Sequence, residues 1–374
     1  MSGVAIVAAR RTPIGVAGRG FAQVPVHDLA AAALAETARM VAPLDLPIDD
    51  VVLGNCMGPG GAVARVAALA AGLGKHVPGV TVDRQCGSGL DAVLQAVARV
   101  RAGDAHLVLA GGAESASTAP HRLWPTTGVR YLRAPFAPPT FADPDMGAAA
   151  DAVAVRYGIS RERQDEWAAR SHRLAVTASA TGCFDAELVP VAGVRHDERP
   201  RAGLELPLLA RFPAAFTPGG TVTAGNSCGD ADGAASMAVL PEALAVASGL
   251  PALRVRAAAV SAGSTALPGI GAVAAIQSAL ARAGVSVADL GHVEITEAFA
   301  AQVLAVSDAV GLDESTISGD GGAIALGHAW GASGAVLLVR LAARMAAADD
   351  ARLGLAACSI GGGQGIAMIV ERIG

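Results

Sequence analysis

Apolar and polar positions along the chain repeat a scheme of short buried runs and amphipathic stretches. VAIVAA (4–9), DVVLGNC (50–56), GVTVDRQ (79–85) and AHLVLAGGAES (105–115) read as strands. Between them HDLAAAALAETARMVA (27–42), ARVAALAAGL (64–73) and GSGLDAVLQAVARVRAG (87–103) carry apolar residues at helical spacing. Strands alternating with helices predict an α/β protein with a mostly parallel sheet covered on both faces.

The scheme breaks at 117–146. That stretch holds six of the 20 prolines together with Trp124, Tyr131, Phe136 and Phe141, so it predicts a loop packed on itself over something. A helix follows at 160–180 with Ser160 as its N-cap. The alternation resumes after GTVTAGNSCGDADGAASMAVL (220–240). A strand at 252–263, a helix at 272–284, a strand entering a helix at 292–300 and a loop entering a helix at 322–346 follow. Two final strands at 352–373 are joined by a glycine turn. Glycine-rich helix entries occur in both halves, at Gly87–Gly89 and Gly327–Gly334, so the second half repeats the first. The expected division is an N-terminal α/β half at 1–116, an inserted loop domain at 117–219, a return segment at 220–240 and a C-terminal α/β half at 241–374.

Composition narrows the class. At 52% hydrophobic but 3% aromatic, the core must be built from Ala, Val and Leu. A net charge of −5 without a long basic run argues against nucleic acid or an anionic membrane as partner. Gly, Asp, Arg or Pro interrupts every apolar run before the roughly 20 residues a bilayer span requires, and no signal-peptide pattern opens the chain. The five cysteines, at 56, 86, 183, 228 and 358, form no CxxC, and no histidine stands at ligand spacing to a cysteine. These features predict a cytoplasmic protein with no metal site.

Three segments carry candidate chemistry. In TVDRQCGSGLDAVL, Cys86 falls where a strand ends and a helix begins. The helix dipole and free N–H groups there favour an anion, hence a thiolate nucleophile; the other reading is a small buried core residue. In GGAIALGHAWGASG, His328 lies in a glycine-rich loop, as a base activating a thiol would; alone, such a histidine is more often structural. CSIGGGQG (358–365) offers a thiol, a hydroxyl and a run of N–H groups suited to an oxyanion site, or forms a tight hairpin turn.

Together these segments resemble the thiolase family over nearly the whole chain. VAARRTPIG is similar to its opening strand and loop, VDRQCGSGLDAV to its nucleophile segment, and MGAAADAVAVRYGISRERQDEWAARSH to the start of its loop-domain helices. GTVTAGNSCGDADGAA, EITEAFAAQ, GGAIALGHAWGASGA and CSIGGGQGIAM resemble its remaining signatures, in the same order. The resemblance implies a five-layered α/β/α/β/α fold of two similar halves plus an inserted loop domain. It implies an acyl-CoA acyltransferase in which Cys86 takes the acyl group as a thioester, His328 activates that thiol, and a second cysteine moves the proton of the α-carbon or of the incoming thiol. It assigns Met146, Phe299 and Gly361 to substrate binding. Coenzyme A would be substrate and product, with no permanently bound cofactor, and the protein would form a homodimer or homotetramer.

The pattern is broken in two places. Thr296 stands where the family has the asparagine of an NEAF motif, which holds a water for the oxyanion. Aligned on Gly361–Gly363, the second catalytic cysteine falls on Ser359, with Cys358 one residue earlier. Neighbours in a strand point to opposite faces, so only one of Cys358 and Ser359 can face a pocket unless a bulge intervenes. Smaller departures are Asp83 for asparagine, Asp230 for an apolar residue, and Ala329–Trp330 after the histidine. Acyl loading on Cys86 needs only His328; carbon acid chemistry through a serine hydroxyl would need a further base. The expected function is therefore a thiolase-type enzyme that makes or cleaves a 3-oxoacyl-CoA. The alternatives are a derived acyltransferase passing the acyl group to a non-carbon acceptor or doing a specialised Claisen step in secondary metabolism, and a degenerate supporting subunit.

Overall fold

The computed structural model describes residues 3–348 and 352–373. Its strands are β1 (Val4–Arg11), β2 (Asp50–Gly54), β3 (Gly79–Val82), β4 (Val108–Ser115), β5 (Ala231–Pro241), β6 (Ala252–Ala262), β7 (His292–Ile295), β8 (Leu353–Ile360) and β9 (Gln364–Ile373). The principal helices are α1 (Val26–Val41), α2 (Val63–Ala70), α3 (Ser88–Ala102), α4 (Met146–Tyr157), α5 (Arg161–Ala180), α6 (Ala272–Ala283), α7 (Ala300–Val310) and α8 (Trp330–Ala347). Ser160 caps α5, its side chain accepting from the Arg163 N–H at 3.2 Å.

One ten-stranded sheet runs β7-β8-β9-β6-β1-β5-β4-β2-β3, with Gly15–Val16 paired onto β5. It is mixed, and this corrects the expectation of a mostly parallel sheet. Parallel pairs occur where a helix carries the chain across: β2 with β3, β2 with β4, and β7 with β8. Through the middle, β1, β5, β6 and β9 pair antiparallel, β9 following β8 by the glycine turn. Helix–strand alternation reports only the crossover units; a hairpin or a strand returning after an insertion leaves no such trace.

Three apolar clusters define the layers. α1 and α2 cover one face of β1, β2, β4 and β5. α6 and α7, with parts of α4 and α5, cover one face of β7, β8 and β9. α3 and α8 lie between, packed against the inner faces of both half-sheets, which makes five layers. These two middle helices are the ones with glycine-rich entries. A Cβ on Gly334 would stand 2.6 Å from the Leu90 nitrogen, and one on Gly89 would stand 2.8 Å from the Ala335 nitrogen, so the backbones touch because neither position has a side chain.

The segment between β4 and β5 is tied down by its aromatic residues. Trp124 stacks on Tyr131 at 4.5 Å across a small hairpin, Arg122–Leu123 with Arg130–Tyr131. Phe136 packs against Gly361, while Phe141 is exposed. Among the described residues, no helix is long and apolar enough to cross a membrane, and no group of three or more His, Cys, Asp or Glu could hold a metal ion.

Candidate active site

Cys86 is aimed by a strained turn. Between β3 and α3, Gln85 adopts φ 47, a left-handed conformation that is unfavourable for a residue with a Cβ. Polar contacts hold it there. Asp83 Oδ1 accepts from the Gln85 N–H at 2.8 Å, and the Ser88 hydroxyl accepts from the Arg84 N–H at 2.8 Å while donating to the Gln85 carbonyl at 2.6 Å. The Cys86 sulfur faces its own N–H and that of Gly361, one donor from each half of the chain.

Burial nevertheless pushes the Cys86 thiol up to about 11, because the loss of water outweighs both donors. The helix start does not by itself hold a thiolate, contrary to what its position in the sequence suggests.

His328 carries a neutral imidazole. Its backbone N–H donates to the Gly229 carbonyl at 2.9 Å, and a parallel bridge joins it to Asp230. Nδ1 lies 2.7 Å from Ser333 Oγ, and the Ser333 hydroxyl donates to the Ala329 carbonyl at 3.1 Å. With that proton committed, Ser333 accepts from Nδ1–H, and Nε2 keeps its lone pair. Nε2 is buried without a hydrogen-bond partner among the described residues. Burial lowers the imidazole to about 4, so it is uncharged near neutrality. With the thiol at about 11 and the imidazole at about 4, both groups are neutral near pH 7. Iodoacetamide labelling of Cys86, read by peptide mass spectrometry, is accordingly expected to rise about tenfold per pH unit from about pH 7 to 9.5. A plateau below about pH 8 would show a sulfur already ionised near neutrality.

Cys86, His328, Ser359, Met146, Phe299 and Gly361 line one cavity of about 370 Å³. Cys358 and Thr296 do not line it. Along β8, Ala356, Cys358 and Ile360 turn toward the middle helices, while Leu355 and Ala357 turn to the outer layer. Cys358 is fully buried, and its sulfur lies 3.3 Å from the Thr296 hydroxyl. Ser359 is the residue that reaches the cavity. Its hydroxyl donates to the Gly269 carbonyl at 2.7 Å and accepts from the Ala272 N–H at 3.2 Å, tying β8 to the turn before α6.

Several residues that shape the cavity carry only a faint signal in the sequence. Glu114, buried at the end of β4, accepts from Asn55 Nδ2 at 2.9 Å and from the N–H groups of Cys56, Met57 and Gly331 at 3.0, 3.2 and 3.1 Å. It locks the start of α8 to the loop after β2; a carboxylate closing an otherwise apolar strand is the sign that could have marked it. Phe136 covers the Gly361 donor, where a Cβ would come within 2.5 Å of the ring. Phe216 meets Phe299 edge-on at 5.9 Å. Cys56, Cys228 and Trp330 also reach the cavity.

The chain matches the family model for the N-terminal domain of thiolase over residues 4–243 and that for the C-terminal domain over residues 250–372. It belongs to the thiolase family. It is 41% identical over 395 residues to the acetyl-CoA acetyltransferase of Escherichia coli (strain K12), with 100% of each chain covered. Identity to the enzyme of that name from Pseudomonas aeruginosa is 40% over 393 residues, again covering 100% of each. The crystal structure of the Bacillus anthracis acetyl-CoA acetyltransferase superposes with a TM-score of 0.91 at 34% identity, covering 100% of this chain and 99% of that one. This thiolase has the family's fold and is an enzyme, a thiolase-type acyl-CoA acyltransferase. The comparisons do not favour transfer to a non-carbon acceptor.

Proposed function

We propose that this thiolase takes an acetyl group from acetyl-CoA onto Cys86 and makes or cleaves a 3-oxoacyl-CoA. The observation that carries the reading is the meeting, in one cavity, of the Cys86 sulfur, two N–H donors from Cys86 and Gly361, and the free Nε2 of His328. His328 takes the thiol proton as sulfur attacks the thioester carbonyl and returns it to the leaving coenzyme A thiolate. The two N–H groups receive the negative charge on the carbonyl oxygen of the tetrahedral intermediate. Met146 and Phe299 bound the space for the substrate. Cys358 and Thr296 lie behind the cavity wall, so any part they play is indirect. Mixing the protein with acetyl-CoA tests this: one equivalent of coenzyme A should be released per chain, with an acetyl mass increment on the Cys86 peptide. An unmodified Cys86 with no release would sink the reading.

The protein is proposed to act as a homodimer or homotetramer. β3 ends the sheet with Val80 exposed, and Leu123, Trp124, Val129 and Leu132 present apolar surface on and beside the hairpin. A free edge and an apolar patch favour pairing with a second copy. Sedimentation equilibrium giving a monomer at micromolar concentration would remove this part of the reading.

A further inference from the structure

Making a carbon–carbon bond requires a base for the α-hydrogen of the second thioester, and the cavity must supply it. Ser359 is poorly suited. Its proton is committed to the Gly269 carbonyl, and a serine hydroxyl is a very weak acid whose alkoxide is inaccessible near neutrality. Among the other titratable side chains on the wall, Cys56 bonds to the Gln85 carbonyl at 3.2 Å, and burial raises its pKa strongly. Asp83 is occupied by the Gln85 N–H. Asp145 sits on the α4 wall beside Met146. Cys228 is a thiol that burial pushes up to about 12, so its ionised form is scarce.

Asp145 and Asp230 are the wall carboxylates without a side-chain hydrogen bond or ion pair among the described residues, and of the two only Asp230 lies on the segment bridged to His328. It lines the cavity, it follows Cys228 and Gly229 on the segment whose backbone holds His328, and its carboxylate makes no hydrogen bond or ion pair among the described residues. Arg199 is near enough to act on it electrostatically, yet the guanidinium is directed to the carbonyls of Ile324 and Ser227. Asp230 is exposed where it borders the cavity, and desolvation by the adjoining wall raises its carboxyl from the usual value against the opposing pull of Arg199, which strengthens it as a base.

We propose that Asp230 is the base that removes the α-proton of the acceptor thioester in this thiolase. The α-carbon–hydrogen bond breaks, the proton passes to the Asp230 carboxylate, and the electron pair moves into the acceptor thioester as an enolate. The enolate carbon then attacks the carbonyl of acyl-Cys86. That carbon–carbon bond forms, the tetrahedral oxygen is held by the Cys86 and Gly361 N–H groups, and the carbon–sulfur bond to Cys86 breaks. The departing Cys86 thiolate takes up the proton from Asp230, which restores both groups. A charge argument separates Asp230 from His328. A carboxylate that accepts the proton only moves a negative charge within the cavity. A neutral imidazole would have to create an ion pair from two neutral groups, in a place where burial already disfavours the imidazolium.

The inference rests on acyl loading at Cys86, and the test reads the two steps separately. Parent, Asp230→Asn and Asp230→Glu proteins are mixed with acetyl-CoA in heavy water. Coenzyme A release reports loading, and deuterium entering the acetyl methyl group reports proton abstraction. The expected result is loading in all three. Deuterium uptake should fall at least about hundredfold in Asp230→Asn and recover in part in Asp230→Glu. Uptake at the parent rate in Asp230→Asn overturns the proposal. Loss of loading in Asp230→Asn also overturns it, since the residue would then act through Cys86 or His328. A parent protein that loads but takes up no deuterium ends this inference and leaves the loading reading intact; a parent that does not load ends both.

Discussion

Cys86→Ser is expected to lose at least about 10⁴-fold in acyl loading and in product formation, with the fold intact. The substitution changes one atom in a turn held by backbone and Ser88 contacts, so the cavity keeps its shape. Chemistry changes far more than shape. A serine hydroxyl ionises several units above a thiol, and the neutral His328, lowered to about 4, is a weak base on which to rely. On the proposed reading the reactivity of sulfur makes up for that weakness; an oxygen nucleophile lacks it. Coenzyme A release and peptide mass spectrometry measure the loss. Undiminished loading in Cys86→Ser, with the acetyl increment on Cys56 or Cys228, would move the nucleophile to another thiol of the same cavity.

The second large effect concerns stability. Arg11, at the end of the central strand β1, is fully buried and surrounded by acceptors. Its Nε donates to Glu187 at 2.7 Å, and its two terminal nitrogens donate to Asp197 at 2.7 and 2.9 Å. Arg340, on the middle helix α8, pairs with the other oxygen of Glu187. Asp197 also accepts from the Ile14 N–H at 2.7 Å. The cluster therefore joins the inserted segment, the central strand and the middle helix. Arg11→Met removes the cation but leaves Asp197 buried with one donor, a loss expected to destabilise the fold by about 3–5 kcal/mol. The measurement is the shift of the urea midpoint at unchanged slope. A shift corresponding to less than about 1 kcal/mol would show that the carboxylates find other partners.

Much of the fold and of the candidate site is legible in the amino-acid sequence. The positions of Cys86 and His328 in glycine-rich joints can be read locally, because the spacing of glycines, strand ends and helix starts is a property of a dozen consecutive residues. The layered α/β class follows from helix and strand periodicity, and the Ser160 cap from one residue ahead of an amphipathic run. The direction of the middle strands cannot be read in that way, since pairing of β1 with β5 and β6 joins residues more than two hundred positions apart. Nor can the state of the Cys86 sulfur. The helix start and the Gly361 donor favour a thiolate, but the desolvation that overrides them comes from every segment packed around the cavity.

By itself the sequence determined which groups the chain owns: one thiol at a helix start, one imidazole in a glycine loop, a serine at 359, and a periodicity that must bury Ala, Val and Leu in layers. The tertiary structure alone decided which of them share a space. Strand alternation required Cys358 and Ser359 to part, but only the packing of β8 between its two helix layers sent the sulfur to Thr296 and the hydroxyl to the cavity. Likewise, nothing local marks position 230 as a neighbour of position 328; the backbone bridge between them does. The reason is one of range. Backbone preference and periodicity act over a few residues, whereas burial and charge are summed over all that lies nearby in space.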